Sequence, residues 1–444
     1  MPKKRRGEVD PSTLAYDELV EYAIEVEEKG ERYGKNGGDK SYRFYIKALH
    51  AYALALQHNP TDLDVIFNLA RLKTVLADFQ DPVPSHEEKH ALLDEAITGL
   101  RSILASCESP DAGFMLAQVL RGKAEDGIQV MKNLGEASSL LDWVYGIQLA
   151  RFQADACERG EAGRGSTERV DEEPGMDVDG AHPDRQEEAA IKYETVHVEE
   201  AITAEALMET LLTQVQILEL AFSVEPNDAL YTRAEGILGQ ASALQPENSE
   251  IHLRRAEFLL AKLQHQYNPL DAQQALSYLD AFIQRDDKNV EAITDKGDLL
   301  WLIGSNASTI VEKRKLWADS CSMYTTALTL EPANANIAMA LANANLGRLL
   351  LYETEKTRGV LASNSVVYYQ KVLNNHKLVK HGLLGMARAC SYLEGKEDDC
   401  RQALVKFREL SPRCTLWDIE ADDNGIPFSD HVKRSDWFNS ILRV

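Results

Sequence analysis

The chain has 444 residues, 71 acidic and 48 basic, for a net charge of −23, with 44% apolar and 27% charged residues. That composition is globular rather than disordered, and the length suits two or three ordinary domains or one long repeat array. The acidic balance argues against a body that faces nucleic-acid phosphates, which needs clustered Lys and Arg, and it suits a basic partner, or merely solubility.

In chain order, residues 1–14 read as a basic, disordered N-terminus. Lys3, Lys4, Arg5 and Arg6 follow Pro2 and look like a short nuclear-import signal, with a solvated charge run as the plain alternative. The first ten residues lack the apolar stretch of a secretory signal. No apolar run reaches the ~18 residues of a membrane span, so no transmembrane helix is expected. The six cysteines are far apart, with no CxxC, so reduced and mostly buried thiols in an intracellular setting, cytoplasmic or nuclear, are expected.

From residue 15 to residue 157, apolar residues recur at i, i+3, i+4 and i+7 in helix-length stretches broken by Pro, Gly, Asn and Asp. Within this module, His86-Glu-Glu-Lys-His90 matches the H-E-x-x-H zinc pattern. It follows Pro84 and Ser85, and acids flank the first histidine, so it reads as an exposed first helical turn capped by Ser85. Residues 158–192 read as an acidic disordered linker; positions 158–190 hold 11 acids against 4 arginines. Helical periodicity resumes over 193–412. The tail, 413–444, has a turn at Asp423-Asn-Gly-Ile-Pro427 and an end helix whose Val432, Trp437, Phe438, Ile441 and Leu442 are expected to cap the last hairpin, with an anchor for a partner as the alternative.

The helices repeat. Ala48, Tyr52, Ala55 and Pro60 stand at offsets 0, +4, +7 and +12, and so do Ala234, Leu238, Ala241, Pro246, then Ser320, Tyr324, Ala327, Pro332, then Cys400, Leu404, Phe407, Pro412. Ala275, Leu279, Phe282 and Asp287 form a degenerate copy. Ten residues past the closing position stands a small residue of the next helix, at Ala70, Ala256, Gly297 and Ala342. Two antiparallel helices cross closely only where side chains are small, larger residues at +4 and +7 fill the groove to the next pair, and Pro stops the second helix.

This pattern resembles the tetratricopeptide repeat, in divergent form, over about residues 41–412. The small-to-small spacing inside a pair is longer than the family's, so the turns or helices near Asp81–Ser85, Asn268-Pro269, Gly304–Ser308 and Gly359–Asn364 are extended. The resemblance implies an all-α, superhelical α-solenoid of about eight helix hairpins, spanning 17–58, 62–106, 111–156, 204–244, 249–285, 290–330, 334–374 and 379–410, and a protein-binding role.

Some members of that family clamp acidic chaperone tails with Lys, Asn and Arg on successive first helices. Here Asn68 fits the middle position, but Glu27 and Glu31 stand on the first helix and Asp111 and Met115 on the fifth, so that role is not carried over. The resemblance places first-helix positions 2, 5, 9 and 12 on the concave side. In the C-terminal module these are Glu250, Leu253, Glu257 and Leu260; Glu291, Thr294, Asp298 and Trp301; and Asn336, Met339, Asn343 and Leu346. Carboxylates attract Lys and Arg, amides hold extended backbone, and Met and Trp supply adaptable contact area. The expected groove residues are Glu250, Leu253, Glu257, Glu291, Asp298, Trp301, Asn336, Met339 and Asn343, with ordinary solvated helix surface of an acidic protein as the plain alternative.

The expectation is a non-catalytic scaffold, adaptor or dedicated chaperone for a basic polypeptide, such as an extension of a ribosomal protein or a histone. No nucleotide-binding loop, nucleophile elbow or metal-spaced cluster is present, so no catalytic, metal-ligating or cofactor residues are expected, and neither direct nucleic-acid contact nor membrane contact. The alternative is a structural subunit of a larger complex whose groove is filled by a neighbour.

Overall fold

The computed structural model describes residues 10–33, 38–79, 82–162, 201–375, 378–411 and 427–442. Among them the secondary structure is helical throughout. After a 3-10 turn at Pro11–Thr13 come α1 (Tyr16–Tyr33), α2 (Gly38–His58), α3 (Leu63–Ala77), α4 (His86–Ser106), α5 (Pro110–Glu125), α6 (Val130–Ala162), α7 (Ala204–Val224) and α8 (Asp228–Leu244). They are followed by α9 (Glu250–His265), α10 (Pro269–Ile283), α11 (Val290–Ser305), α12 (Ile310–Leu330), α13 (Ala335–Leu349), α14 (Glu355–Val372), α15 (Val379–Cys390) and α16 (Glu397–Leu410), then two short helices, α17 (Asp430–Lys433) and α18 (Asp436–Leu442). Hairpin partners pack most extensively: α1 on α2, α3 on α4, α5 on α6, α9 on α10, α11 on α12, α13 on α14 and α15 on α16. This is an all-α, tetratricopeptide-like array.

The offset pattern is the core. Ala48, Tyr52, Ala55, Leu238, Ala241, Ser320, Tyr324, Ala327, Cys400 and Leu404 are all buried, as are Ala70, Ala256 and Ala342. Full burial of a side chain of the size of Tyr or Leu stabilises by about 1.5–3 kcal/mol, so the repeat signature and the stability are one set of residues. Pro60, Pro246 and Pro332 each stand two residues beyond a second helix. Asn289 and Asn334 cap α11 and α13 with side-chain carbonyls. Ser85 and Glu88 form a reciprocal capping box at α4. His86 and His90 lie on that first turn with their Nε2 atoms 2.9 Å apart. Among the described residues no three His, Cys, Asp or Glu side chains gather as metal ligands.

The extra length inside the pairs is helix more than turn. α4 and α12 run to 21 residues and α14 to 18. Gly359–Asn364 lies inside α14, because Thr354 rather than the glycine marks its start. Gly304 closes α11 instead of loosening a turn, and the ring of Trp317 packs against it.

The chain divides into two compact units, residues 1–224 with 236–246, and residues 225–235 with 247–444. In the first, α7 packs on α6: Thr210 Oγ1 donates to Gln148 Oε1 at 2.7 Å, and Gln214 donates to Asp142. The acidic segment thus lies within this unit, between α6 and α7; its positions 158–162 extend α6, and 163–192 lie outside the described residues, as do Lys3, Lys4, Arg5 and Arg6. α7 is long and apolar enough to cross a membrane by length and composition, and 61% of its most apolar window is buried in the protein. Reading only unbroken apolar runs misses it, because Glu209 and Glu219 interrupt the stretch. In the second unit, Phe428, Val432 and Phe438 close the core formed by Leu383, Leu384, Leu404 and Phe407, with Trp437 and Ile441 packed against it.

Two hairpins share an internal device. In α1–α2, Ser41 Oγ donates to Gly30 O at 2.8 Å and the Tyr45 ring lies on Gly30. In α11–α12, Ser320 Oγ donates to Gly297 O at 2.8 Å and the Tyr324 ring lies on Gly297. A Cβ on Gly297 would stand 2.7 Å from Tyr324 Cε1. That ring is buried and its hydroxyl is held by Asp298, so it has no room to retreat. Gly297→Ala is therefore expected to cost about 1–3 kcal/mol of overpacking, seen as a lower urea midpoint, whereas wild-type stability of the variant would contradict this packing.

Candidate peptide-binding face

The face is built by three first helices of the second unit, α9, α11 and α13. Each presents one strip of its surface, set by the phase that buries Ala256, Gly297 and Ala342 on the other side. On α9, Leu253 is completely buried among Leu279 and Leu299, so it supports the face from beneath rather than meeting a ligand. Glu250, Glu257 and, from α11, Glu291 converge on Arg254. Its Nη1 meets Glu257 Oε2 at 2.6 Å, and its Nη2 meets Glu250 Oε1 at 2.6 Å and Glu291 Oε2 at 3.5 Å. Burial alone would lower the guanidinium pKa; the carboxylates of Glu257, Glu291 and Glu250 outweigh it and raise it. The expected ladder of open carboxylates is thus already part-neutralised at its α9 end. Glu257 is buried with Arg254, whereas Glu291 keeps 55% of its side chain exposed.

The first unit carries the same cross-brace. Arg71 on α3 meets Glu27 on α1 at 2.7 Å and Glu31 at 3.4 Å, while Tyr52 donates to Glu27 at 2.9 Å. Burial raises the Glu27 pKa, and Arg71 and Tyr52 oppose that rise.

Between α11 and α13 the second unit opens into two adjoining clefts that share Asp298 and Ala340. The smaller, about 400 Å³, is lined by four carboxylates (Glu291, Asp295, Asp298, Glu331), by Asn334 and Asn336, and by no cationic residue. The larger, about 520 Å³, is lined by Asp298, Trp301, Lys313, Trp317 and Asn343, with Leu350 at its rim. Trp301 and Trp317 stack with centroids 3.8 Å apart and planes 13° from parallel, and Trp317 Nε1 donates to Trp301 O at 3.0 Å. Gly347 lets α13 approach this pair: a Cβ there would stand 2.5 Å from the Trp301 ring edge. Lys313 Nζ lies 4.5 Å from the Trp317 ring centroid.

Second-helix tyrosines orient the polar groups of the face. Tyr324 donates to Asp298, and Tyr369 donates to Asn343 Oδ1 at 2.7 Å. Burial raises the Asp298 pKa, and the Tyr324 hydroxyl partly offsets it. Of the residues expected from sequence, Glu291, Asp298, Trp301, Asn336 and Asn343 line the clefts, and Asn336 is exposed. Met339 is half-buried and packs against the cores on either side of it. The sequence reading did not single out Arg254, Lys313, Trp317 or Glu331. The spacing of Arg254, four residues after Glu250 and three before Glu257, was the available signal for the first; the others come from the second helix α12 or the turn after it.

No family model matches the chain. A curated protein, UPF0656 protein C926.02 of Schizosaccharomyces pombe, is 36% identical over 123 residues, covering 28% of this chain and 26% of that protein. The match thus spans about a quarter of that relative's length. Among solved structures, the chain is similar in fold to yeast Tom70, with a TM-score of 0.39 and 13% identity over 98% of this chain and 70% of that one. It is similar to Nro1, a nuclear import adaptor, with a TM-score of 0.30 and 12% identity over 82% of this chain and 90% of that one. It is also similar to the TPR domain of P58(IPK), with a TM-score of 0.23 and 15% identity over 88% of this chain and 84% of that one.

Proposed function

We propose that the chain is a non-catalytic binding protein whose α11–α13 face holds an extended, basic segment of another protein. The observation that carries this is the 400 Å³ cleft with four carboxylates and no cation in its lining, continuous through Asp298 with an aromatic cleft. An acidic lining favours a Lys- or Arg-rich guest over other segments. Asn336 and Asn343 add amides along the same path, suited to a backbone that has no internal hydrogen bonds. An escort of a basic extension in cytoplasm or nucleus goes with this reading.

The test is fluorescence anisotropy with a labelled decalysine peptide and the full chain at 50 mM and 500 mM salt. Binding should weaken at least tenfold across that range, and the paired reversal Glu291→Lys with Glu331→Lys should weaken it a further tenfold or more at low salt. Affinity unmoved by the paired reversal would reject the reading. Binding of a partner that survives high salt and the reversal alike would favour a structural subunit held by apolar contacts.

A further inference from the structure

The proposed groove leaves the chemistry of its aromatic cleft unassigned. Resting on that reading, we propose that the 520 Å³ cleft between α11 and α13 is a seat for an arginine side chain of the bound segment, chosen over lysine, with the guanidinium flat against Trp301 and donating to Asp298 and Asn343.

The tryptophan pair sets the geometry. One face of Trp317 is covered by Trp301 at 3.8 Å, so Lys313 Nζ, over the same ring at 4.5 Å, occupies the other end of the stack. Trp301 gives one face to Trp317, and Gly347 borders the ring edge, touching Trp301 first and Trp317 next. The surface left to Trp301 lines the cleft, and the residue is only half-buried. An indole stack that already carries a cation at one end offers the same negative ring face at the other.

Asp298 stands on the same helix, one turn before Trp301, and lines the same cleft. Tyr324 fixes one of its oxygens, so the carboxylate is held in place before any guest arrives. A planar guanidinium can lie on an indole and still send N–H donors sideways to a carboxylate and an amide carbonyl. A lysine ammonium is a strongly hydrated point charge that must shed water to enter, and it has no plane to stack. Ala340, Ala344, Gly347 and Leu351 give the cleft a small or apolar side that suits the methylenes of a long side chain, while Lys313, whose Nζ lies over Trp317, and Ser305 also line it.

The experiment compares labelled (Gly-Arg)6 and (Gly-Lys)6 peptides on the full chain at low salt by anisotropy, with tryptophan emission followed in parallel. The arginine peptide should bind about tenfold tighter and alter tryptophan emission, and the lysine peptide should bind without that change. Trp301→Leu should bring the ratio near one, with the larger loss falling on the arginine peptide; Trp301→Phe, which keeps an aromatic face, should leave an intermediate ratio. Equal affinity for the two peptides in the wild type, or a ratio indifferent to both substitutions, would overturn the arginine seat. The groove reading fails separately, when neither peptide responds to the paired reversal of Glu291 and Glu331.

Discussion

Replacing Arg254 with methionine should destabilise the second unit by about 3–5 kcal/mol, the usual cost of removing one member of a buried ion pair. The reason lies in who remains. Glu257 has 8% of its side chain exposed and loses the guanidinium 2.6 Å away, and Glu250 and Glu291 lose the same cation. Methionine fills the volume, so the loss is electrostatic rather than a cavity. Arg254→Lys should recover part of it, because an ammonium cannot fork to carboxylates on both sides of the helix face. The double substitution Arg254→Met with Glu257→Met should recover most of it, since an apolar pair of similar volume can replace a buried ion pair at little cost. Urea denaturation of the full chain followed by circular dichroism reads all three. Wild-type behaviour of Arg254→Met would show that the cross-brace does not hold α9 to α11.

Asp298→Asn should do the opposite: weaken binding of a basic peptide about tenfold or more without lowering the melting temperature at pH 7. Burial raises the folded-state pKa of Asp298, so its contribution to stability is fully present below the unfolded value, near 3.8, and is lost as pH rises through the folded value. Ionisation of Asp298 therefore works against folding. Asparagine removes that charge and keeps a carbonyl oxygen for the Tyr324 hydroxyl. A group that costs stability while facing a cleft is more readily understood through what it meets there, because a charge-assisted bond to a cation contributes about 1.5–3 kcal/mol. The two measurements are a thermal melt and an anisotropy titration of the same sample. A lower melting temperature together with unchanged peptide affinity would make Asp298 a structural residue only.

The sequence pattern carries the fold almost completely, because the residues that define the repeat are the ones that must be small or buried where helices cross. Ala48, Tyr52 and Ala55, or Ser320, Tyr324 and Ala327, are legible by spacing and sit in the core for the same reason. The site is legible only in part. Phase along α11 and α13 finds Glu291, Asp298, Trp301, Asn336 and Asn343, since a helical strip is a local property. Phase along α9 also gives Glu257, whose charge is committed to Arg254 inside the fold, and Leu253, which lies beneath the surface. Whether a carboxylate is open or already paired depends on the neighbouring helix, and so does the meeting of Trp317 and Lys313 with Trp301 across a turn of uncertain length. Those are tertiary facts with no period in the sequence.

The correction also changes how charge in this chain is tested. Reversing Glu257 would set a lysine against Arg254 in a buried site and unfold the hairpin, telling nothing of the groove. Glu331 lines the acidic cleft from an exposed position; Glu291 also does so, 55% exposed and at 3.5 Å the longest of the Arg254 contacts, so its reversal disturbs the brace far less than that of Glu257; and Asp298 can be neutralised in place. The net charge of −23 thus resolves into carboxylates that brace helices and carboxylates that remain available to a guest.

The most direct measurement is site-specific photo-cross-linking of a basic peptide to the full chain. A benzoylphenylalanine placed at Asn336, exposed on the acidic cleft, is compared with one at Val367, 53% exposed on α14 and lining neither cleft. With a labelled decalysine probe, the groove account expects a salt-sensitive adduct at position 336 and none at 367. Equal labelling at the two positions, or labelling at 367 alone, would contradict it.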